Sequence, residues 1–167
     1  MSNFKEIKPE EIQGNNIQMI GDEWMLITAS DGQNVNAMTA SWGCTGVLWS
    51  QPVAICHVRP QRYTYQFTEK SDFLTLSFFD RKYRKELAYF GSHSGRDGDK
   101  FAATGLTPVT DGNYSYPAEA DMVLCCRKLY ADDIKPECFV SQEPLSHYEK
   151  NDFHRMYVCL IEKVLKK

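Results

Sequence analysis

Short runs of β-branched and aromatic residues, punctuated by turn-forming residues, recur from Trp24 to Leu165 and constrain this chain most. Trp24 to Thr28 runs into Asp31-Gly32, a tight-turn pair, and Val35 to Trp42 returns as a second strand. Pro52 to Val58 is an apolar run with proline at both borders, the pattern of a buried strand. Phe73 to Phe79 follows with β-branched and aromatic content. Two longer runs cover 121–130 and 153–165, and the second is apolar on both faces, which predicts burial on both sides. Helical signals are short: KPEEI at 8–12, one turn over 64–69, a helix over 81–90, and another over 99–104. Asp80 is placed to cap the third, with Tyr83, Leu87 and Phe90 on one face and Gly91 as its stop; Gly105 ends the fourth. TPVTDGNYSYP at 107–117 reads as turn-rich, reversing at Asp111-Gly112, and 43–51 and 135–150 read as loops. The expectation is a mainly β chain, a β-barrel with a few short helices. At 167 residues, with no linker or internal repeat, a single domain over 1–167 is expected.

Composition narrows the function. A hydrophobic fraction of 43% fits a compact globule instead of a disordered chain. Nineteen basic against 22 acidic residues give a net charge of −3, with no basic stripe, so nucleic acid is not an expected partner. Arg81, Lys82, Arg84 and Lys85 read as the wet face of a helix. No apolar run approaches the roughly 18 residues of a membrane span, and MSNFKEIKPEE lacks the apolar core of a secretory leader. A cytoplasmic protein with six reduced, mostly buried cysteines is expected. Cys125 and Cys126 are neighbours in a strand and so point to opposite faces. His57, His93 and His147 lack metal-ligand spacing and no C-x-x-C occurs, so no metal site is predicted.

Two polar runs interrupt the apolar strands: NAMTASW at 36–42 and RPQRYT at 59–64. The first sets Thr39 and Ser41 among small residues, where hydroxyls and backbone amides reach a flat polar ligand. Simple alternation gives another reading, with Met38 and Ala40 in the core and Thr39 and Ser41 in water. The second gathers Arg59, Arg62, Tyr63 and Thr64 within six residues. Guanidinium forks and a hydroxyl suit a phosphate monoester, with its roughly −1.5 to −2 charge and three acceptor oxygens. A phosphorylated, planar small molecule is the ligand class these residues point to. An arginine-rich surface turn is the competing reading for the same run.

These runs resemble the flavin reductase-like family, in particular its flavoredoxin branch. So do PVAICHVRPQRYTY at 52–65, SGRDGDKF at 94–101, CRKLYADDI at 126–134 and DFHRMYVCLIE at 152–162, in the family's order. The resemblance covers roughly 22–165 and implies an FMN-binding split β-barrel of Greek-key type. It implies FMN contacts from Asn36, Ala37, Met38, Thr39, Ala40, Ser41 and Trp42, and from Arg59, Arg62, Tyr63 and Thr64. Ser94, Arg96, Asp97 and Lys100 complete that set, with Lys100 beside the edge of the flavin that turns negative on reduction. Tyr63 and Trp42 fit the core equally well, and Arg96 and Asp97 also fit a surface ion pair. His154 is either a contact for a nicotinamide or other substrate, or a satisfied histidine at the mouth of the last strand. No G-x-G-x-x-G motif is present, so NAD(P)H would dock transiently on the flavin. The resemblance further implies a homodimer and an NAD(P)H:flavin reductase. A carrier fed by a redox protein partner, and a flavin-free binding module of the same fold, are the alternatives.

Overall fold

The computed structural model describes residues 3–167. Strand β1 (Lys5–Ile7) precedes a 3₁₀ turn at Pro9–Glu11, where the first helical signal lies. The hairpin predicted around Asp31-Gly32 is β2 (Met25–Ser30) and β3 (Val35–Ala40). Residues 43–51 are not a loop. They form β4 (Gly43–Leu48) and the turn into β5 (Gln51–Val58), with Leu48 paired to Gln51. The turn residues Trp49 and Ser50 have φ of 51° and 57°, left-handed positions that hairpins usually give to Gly or Asn. With neither residue present, the sequence carried no turn signal.

Helix α1 (Tyr65–Lys70) leads into β6 (Phe73–Phe78). The predicted 81–90 helix splits into a 3₁₀ turn at Arg81–Tyr83, capped by Asp80 through Lys82 N at 2.9 Å, and α2 (Arg84–Ser92). Gly91 does not stop α2. The helix runs one residue further, and the Gly91 carbonyl is held by a side chain from elsewhere in the chain. Helix α3 (Lys100–Thr104) ends as predicted on left-handed Gly105. The turn-rich stretch is a small hairpin, β7 (Pro108–Asp111) with β8 (Tyr114–Pro117). Long strands β9 (Met122–Asp133) and β10 (Arg155–Lys166) close the chain. The segment between them carries 3₁₀ turns at Pro136–Cys138 and Glu143–Tyr148.

The main sheet runs β3-β2-β6-β9-β10-β5-β4, with β1 added to β10. Its two ends, β3 and β4, do not pair with each other, yet Met38 of β3 and Val58 of β5 enter one core cluster. The sheet therefore coils around a shared interior and stays split along one seam. Ile27, Leu74, Leu124, Cys126, Tyr157 and Cys159 fill that interior. Leu26, Ala37, Phe90, Phe101, Val123 and Cys125 pack outside it, beneath α2, α3 and the small hairpin. Cys125 and Cys126 do face opposite clusters.

Strand β10 is buried on both sides as its composition predicted, but its parity changes partway. Ile161 pairs with Cys126 and Lys163 with Cys125, so Glu162 is an extra, bulged residue. The bulge returns Val164 to the interior and turns Glu162 outward, where Tyr114 and Arg127 donate to it. Tyr157, fully buried, donates to Glu69 at 2.6 Å and meets the Thr68 hydroxyl at 3.0 Å. These bonds fix α1, and with it the bend at 59–64, against the barrel.

Candidate functional site

Strand β3 is an edge strand, so alternate backbone groups along it point away from β2. Its end supplies Met38 to Trp42 as one wall of a cleft of about 210 Å³. Arg59, Arg62, His57 and His154 complete the lining. Thr39 does not offer a free hydroxyl: it donates to the Leu87 carbonyl and ties α2 to the strand. Ser41 keeps its hydroxyl available. Trp42 is 41% exposed, which removes the core reading for that residue. Its ring lies 5.1 Å from both His147 and His154.

The arginines of the bend serve different partners. Arg59 pairs with Asp152, donates to the His147 carbonyl at 2.9 Å, and sits over the Tyr148 ring. It latches the segment 147–152 to the barrel, helped by Gln61, which also donates to Asp152. Arg62 points the other way, to the C-terminal end of α2. It donates to the Gly91 carbonyl at 2.8 Å and the Phe90 carbonyl at 3.1 Å. Thr64 is 1% exposed and lines no cleft; its hydroxyl accepts from the Asn36 amide at 2.7 Å. Its side chain holds Asn36 in place. Ala37 is likewise buried, in the outer cluster.

A larger cleft of about 620 Å³ opens beside the first, lined by Asn36, Tyr63, Arg96, Asp97 and Lys100 among others. Gly95 brings the 94–98 loop against this wall. A Cβ there would lie 2.4 Å from Asn36 Oδ1 and 2.6 Å from the Tyr63 ring, so only glycine permits the approach. Arg96 and Asp97 do not pair with each other, contrary to the surface-pair reading. Arg96 donates to the Gln61 carbonyl at 3.1 Å and lies over Tyr63. Ser94 shapes the loop by accepting from Arg96 N at 3.2 Å, and it lines neither cleft. Asp99 caps α3 through Phe101 N and Ala102 N.

Lys100 lines the larger cleft and shares an acceptor with Arg62 of the smaller one. Its ammonium is buried and donates to the Phe90 carbonyl at 3.3 Å, the acceptor that Arg62 also uses. The main chain at Phe90 is well anchored, because that ring is fully buried and packs on Phe101 at 5.1 Å. Burying such a side chain contributes about 1.5–3 kcal/mol. Neither Arg62 nor Lys100 has a carboxylate partner among the described residues. Burial, and then the Arg62 charge, pushes Lys100 down to about 8, and burial lowers Arg62 as well. Two adjacent cations, one buried and one half-buried, whose main acceptors are helix-end carbonyls form a site short of negative charge.

The other wall is histidine-rich. His154 is 7% exposed, and burial, then Arg59 and His57, pushes its imidazole down to about 4. It is therefore neutral at pH 7. Burial also lowers His57, whose Nδ1 is sealed from solvent with no partner among the described residues. His57, Tyr148, Asp152 and the Phe90 carbonyl were not singled out from sequence. His57 alone left a trace, as the one polar residue inside the otherwise apolar run Val53 to Val58.

The family model for the flavin reductase like domain matches residues 20–150. The chain belongs to that family. Among solved structures, flavoredoxin of Desulfovibrio vulgaris (Miyazaki F) is 24% identical, with a TM-score of 0.66 over 84% of this chain and 67% of that one. An FMN-binding domain of flavin reductase-like enzyme from Shewanella baltica is 13% identical, with a TM-score of 0.69 over 99% and 78%. NADH:FAD oxidoreductase of Streptomyces globisporus, solved with NAD and FAD fragments, is 17% identical, with a TM-score of 0.65 over 87% and 74%. No curated protein matches the sequence significantly. The shared fold is the split barrel of flavin reductase-like domains, as the resemblance implied. Among the described residues no helix is long and apolar enough to cross a membrane.

Proposed function

We propose that this flavin reductase-like protein binds FMN across the two clefts and works as an NAD(P)H-dependent flavin oxidoreductase in the cytoplasm. One observation carries the reading: half-buried Arg62 and buried Lys100 share the Phe90 carbonyl, with no carboxylate among the described residues to answer them. An anionic, planar, hydrogen-bonding ligand fits this need, and FMN has that chemistry.

When bound, FMN supplies the redox chemistry, taking up a hydride and passing electrons to an acceptor. The chain supplies position and charge. Arg62 and Lys100 hold the anionic part of the ligand, with Lys100 favouring its reduced form. The edge of β3 offers main-chain groups and the Ser41 hydroxyl to the polar rim. Trp42 shields one side, and His154 faces whatever docks from solvent. No side chain acts as a nucleophile; rate comes from placement.

The two clefts, of about 210 and 620 Å³, reach the roughly 300–1,000 Å³ of small-molecule sites. A second copy is proposed to flank them. Edge strand β4 and its turn expose Val47 at 79% and Trp49 at 56%, an apolar edge suited to such a contact.

Titration of purified protein with FMN, followed by rapid mixing with NADH and NADPH, tests the proposal. A saturable, spectrally shifted complex that either nicotinamide bleaches is expected. No binding removes the FMN reading. Binding without bleaching favours an electron carrier fed by a protein partner, the role that likeness to a flavoredoxin suggests.

A further inference from the structure

We propose that Tyr148 is a positioning residue that fixes the tautomer of His154, so that the cleft presents a neutral Nε2–H donor to an uncharged carbonyl oxygen. This rests on the flavin oxidoreductase reading, in which that oxygen belongs to the carboxamide of the nicotinamide reductant.

The Tyr148 hydroxyl lies 2.9 Å from His154 Nδ1, and both residues are 7% exposed. Neither atom has another partner among the described residues. Burial raises the Tyr148 phenol, so it keeps its proton, while the imidazole is neutral at pH 7. One proton therefore sits between the two atoms. If Nδ1 held it, the phenol proton would be buried without an acceptor; donation from Tyr148 to Nδ1 satisfies both groups. The ring proton is then on Nε2. Nε2 has no partner and is not among the side-chain atoms sealed from solvent, so it opens into the cleft that His154 lines.

The surroundings hold this arrangement. The Tyr148 ring stacks on Phe153 at 4.6 Å and 22°, under the Arg59 guanidinium at 5.2 Å. Arg59 and His57 oppose protonation of His154, and only Asp152 favours it. Such a histidine delivers no proton at neutral pH and acts as a fixed donor. A neutral N–H suits an amide or ketone oxygen, whereas an anionic oxygen would be drawn to Arg62 and Lys100.

Tyr148→Phe keeps the stacked ring and removes the hydroxyl. Nitrogen-15 NMR of histidine-labelled protein at pH 7, without flavin, is expected to show His154 as the Nε2–H tautomer. In Tyr148→Phe a mixture with the Nδ1–H form is expected. In FMN-loaded protein the NADH concentration for half-maximal reduction should rise about 3- to 10-fold, with the FMN dissociation constant within twofold. In His154→Gln, whose amide N–H stands in for Nε2–H, adding Tyr148→Phe should change nothing further. An Nδ1–H tautomer or an imidazolium in the unmodified protein overturns the proposal. So does an equal loss from Tyr148→Phe in the His154→Gln background, which would mark a packing role. Protein that binds no FMN defeats the functional reading alone, because the NMR result stands without flavin.

Discussion

Arg62 Nη2 and Lys100 Nζ donate to one acceptor, the Phe90 carbonyl oxygen at the C-terminal end of α2, from 3.1 and 3.3 Å. The carbonyl tethers both charges without neutralising either. The pair thus trades stability of the empty protein against affinity for an anion.

Lys100→Met should weaken FMN binding about 10- to 100-fold, the scale of one lost charge-assisted bond at about 1.5–3 kcal/mol. The same variant should melt at an equal or higher temperature than the parent without FMN, because a buried cation has been removed. Arg62→Met should weaken binding similarly but lower the melting temperature, since the Phe90 and Gly91 carbonyls lose their donor. Thermal unfolding with and without FMN separates the two variants. A Lys100→Met protein that binds FMN normally would remove the anion site.

FMN affinity should fall as pH rises through about 8. Lys100 loses its proton near there in the free protein, and an anionic ligand binds the protonated form. For the empty protein the sign reverses. Between about 8 and the ordinary value of 10.5 the unfolded chain holds more protons than the folded one, so this lysine's contribution to stability rises with pH. Fluorescence titration from pH 6.5 to 9.5 checks the first, with Lys100→Met expected to be flat.

Acid should act through His154. Its folded value of about 4 lies below the ordinary 6.5, so between these values the unfolded chain binds more protons. Stability therefore falls as pH drops from 6.5 toward 4, by up to about 3 kcal/mol at about 1.36 kcal/mol per pH unit. Urea midpoints at pH 7, 5.5 and 4.5 should show a smaller fall for His154→Gln than for the parent.

Gly95→Ala should damage the site without unfolding the barrel. The new methyl meets Asn36 and Tyr63 well inside contact distance, so the 94–98 loop must move outward. Overpacking of this kind costs about 1–3 kcal/mol. FMN affinity should drop while the far-ultraviolet circular dichroism is retained; an unchanged dissociation constant would show that the loop does not touch the ligand.

Most strands were legible because their chemistry is local. Alternating apolar residues and the Asp31-Gly32 turn specify the β2–β3 hairpin within sixteen residues, and Asp99 and Gly105 bracket α3. The β4–β5 hairpin was not legible, because Trp49 and Ser50 adopt a turn geometry their types do not advertise. The runs NAMTASW and RPQRYT each line both clefts, and SGRDGDKF lines the larger one. The resemblance to the flavin reductase-like family had marked them as candidates for one ligand.

Roles within those runs were decided by three-dimensional packing. Arg59 and Arg62 look equivalent in sequence, yet one latches a distant loop through Asp152 and the other meets the end of α2. Thr64 reads as a phosphate contact but lies beneath Asn36. A residue's type sets which bonds it is able to make. Which of them forms depends on partners 28 to 93 positions away, and only the coiled sheet brings those within reach.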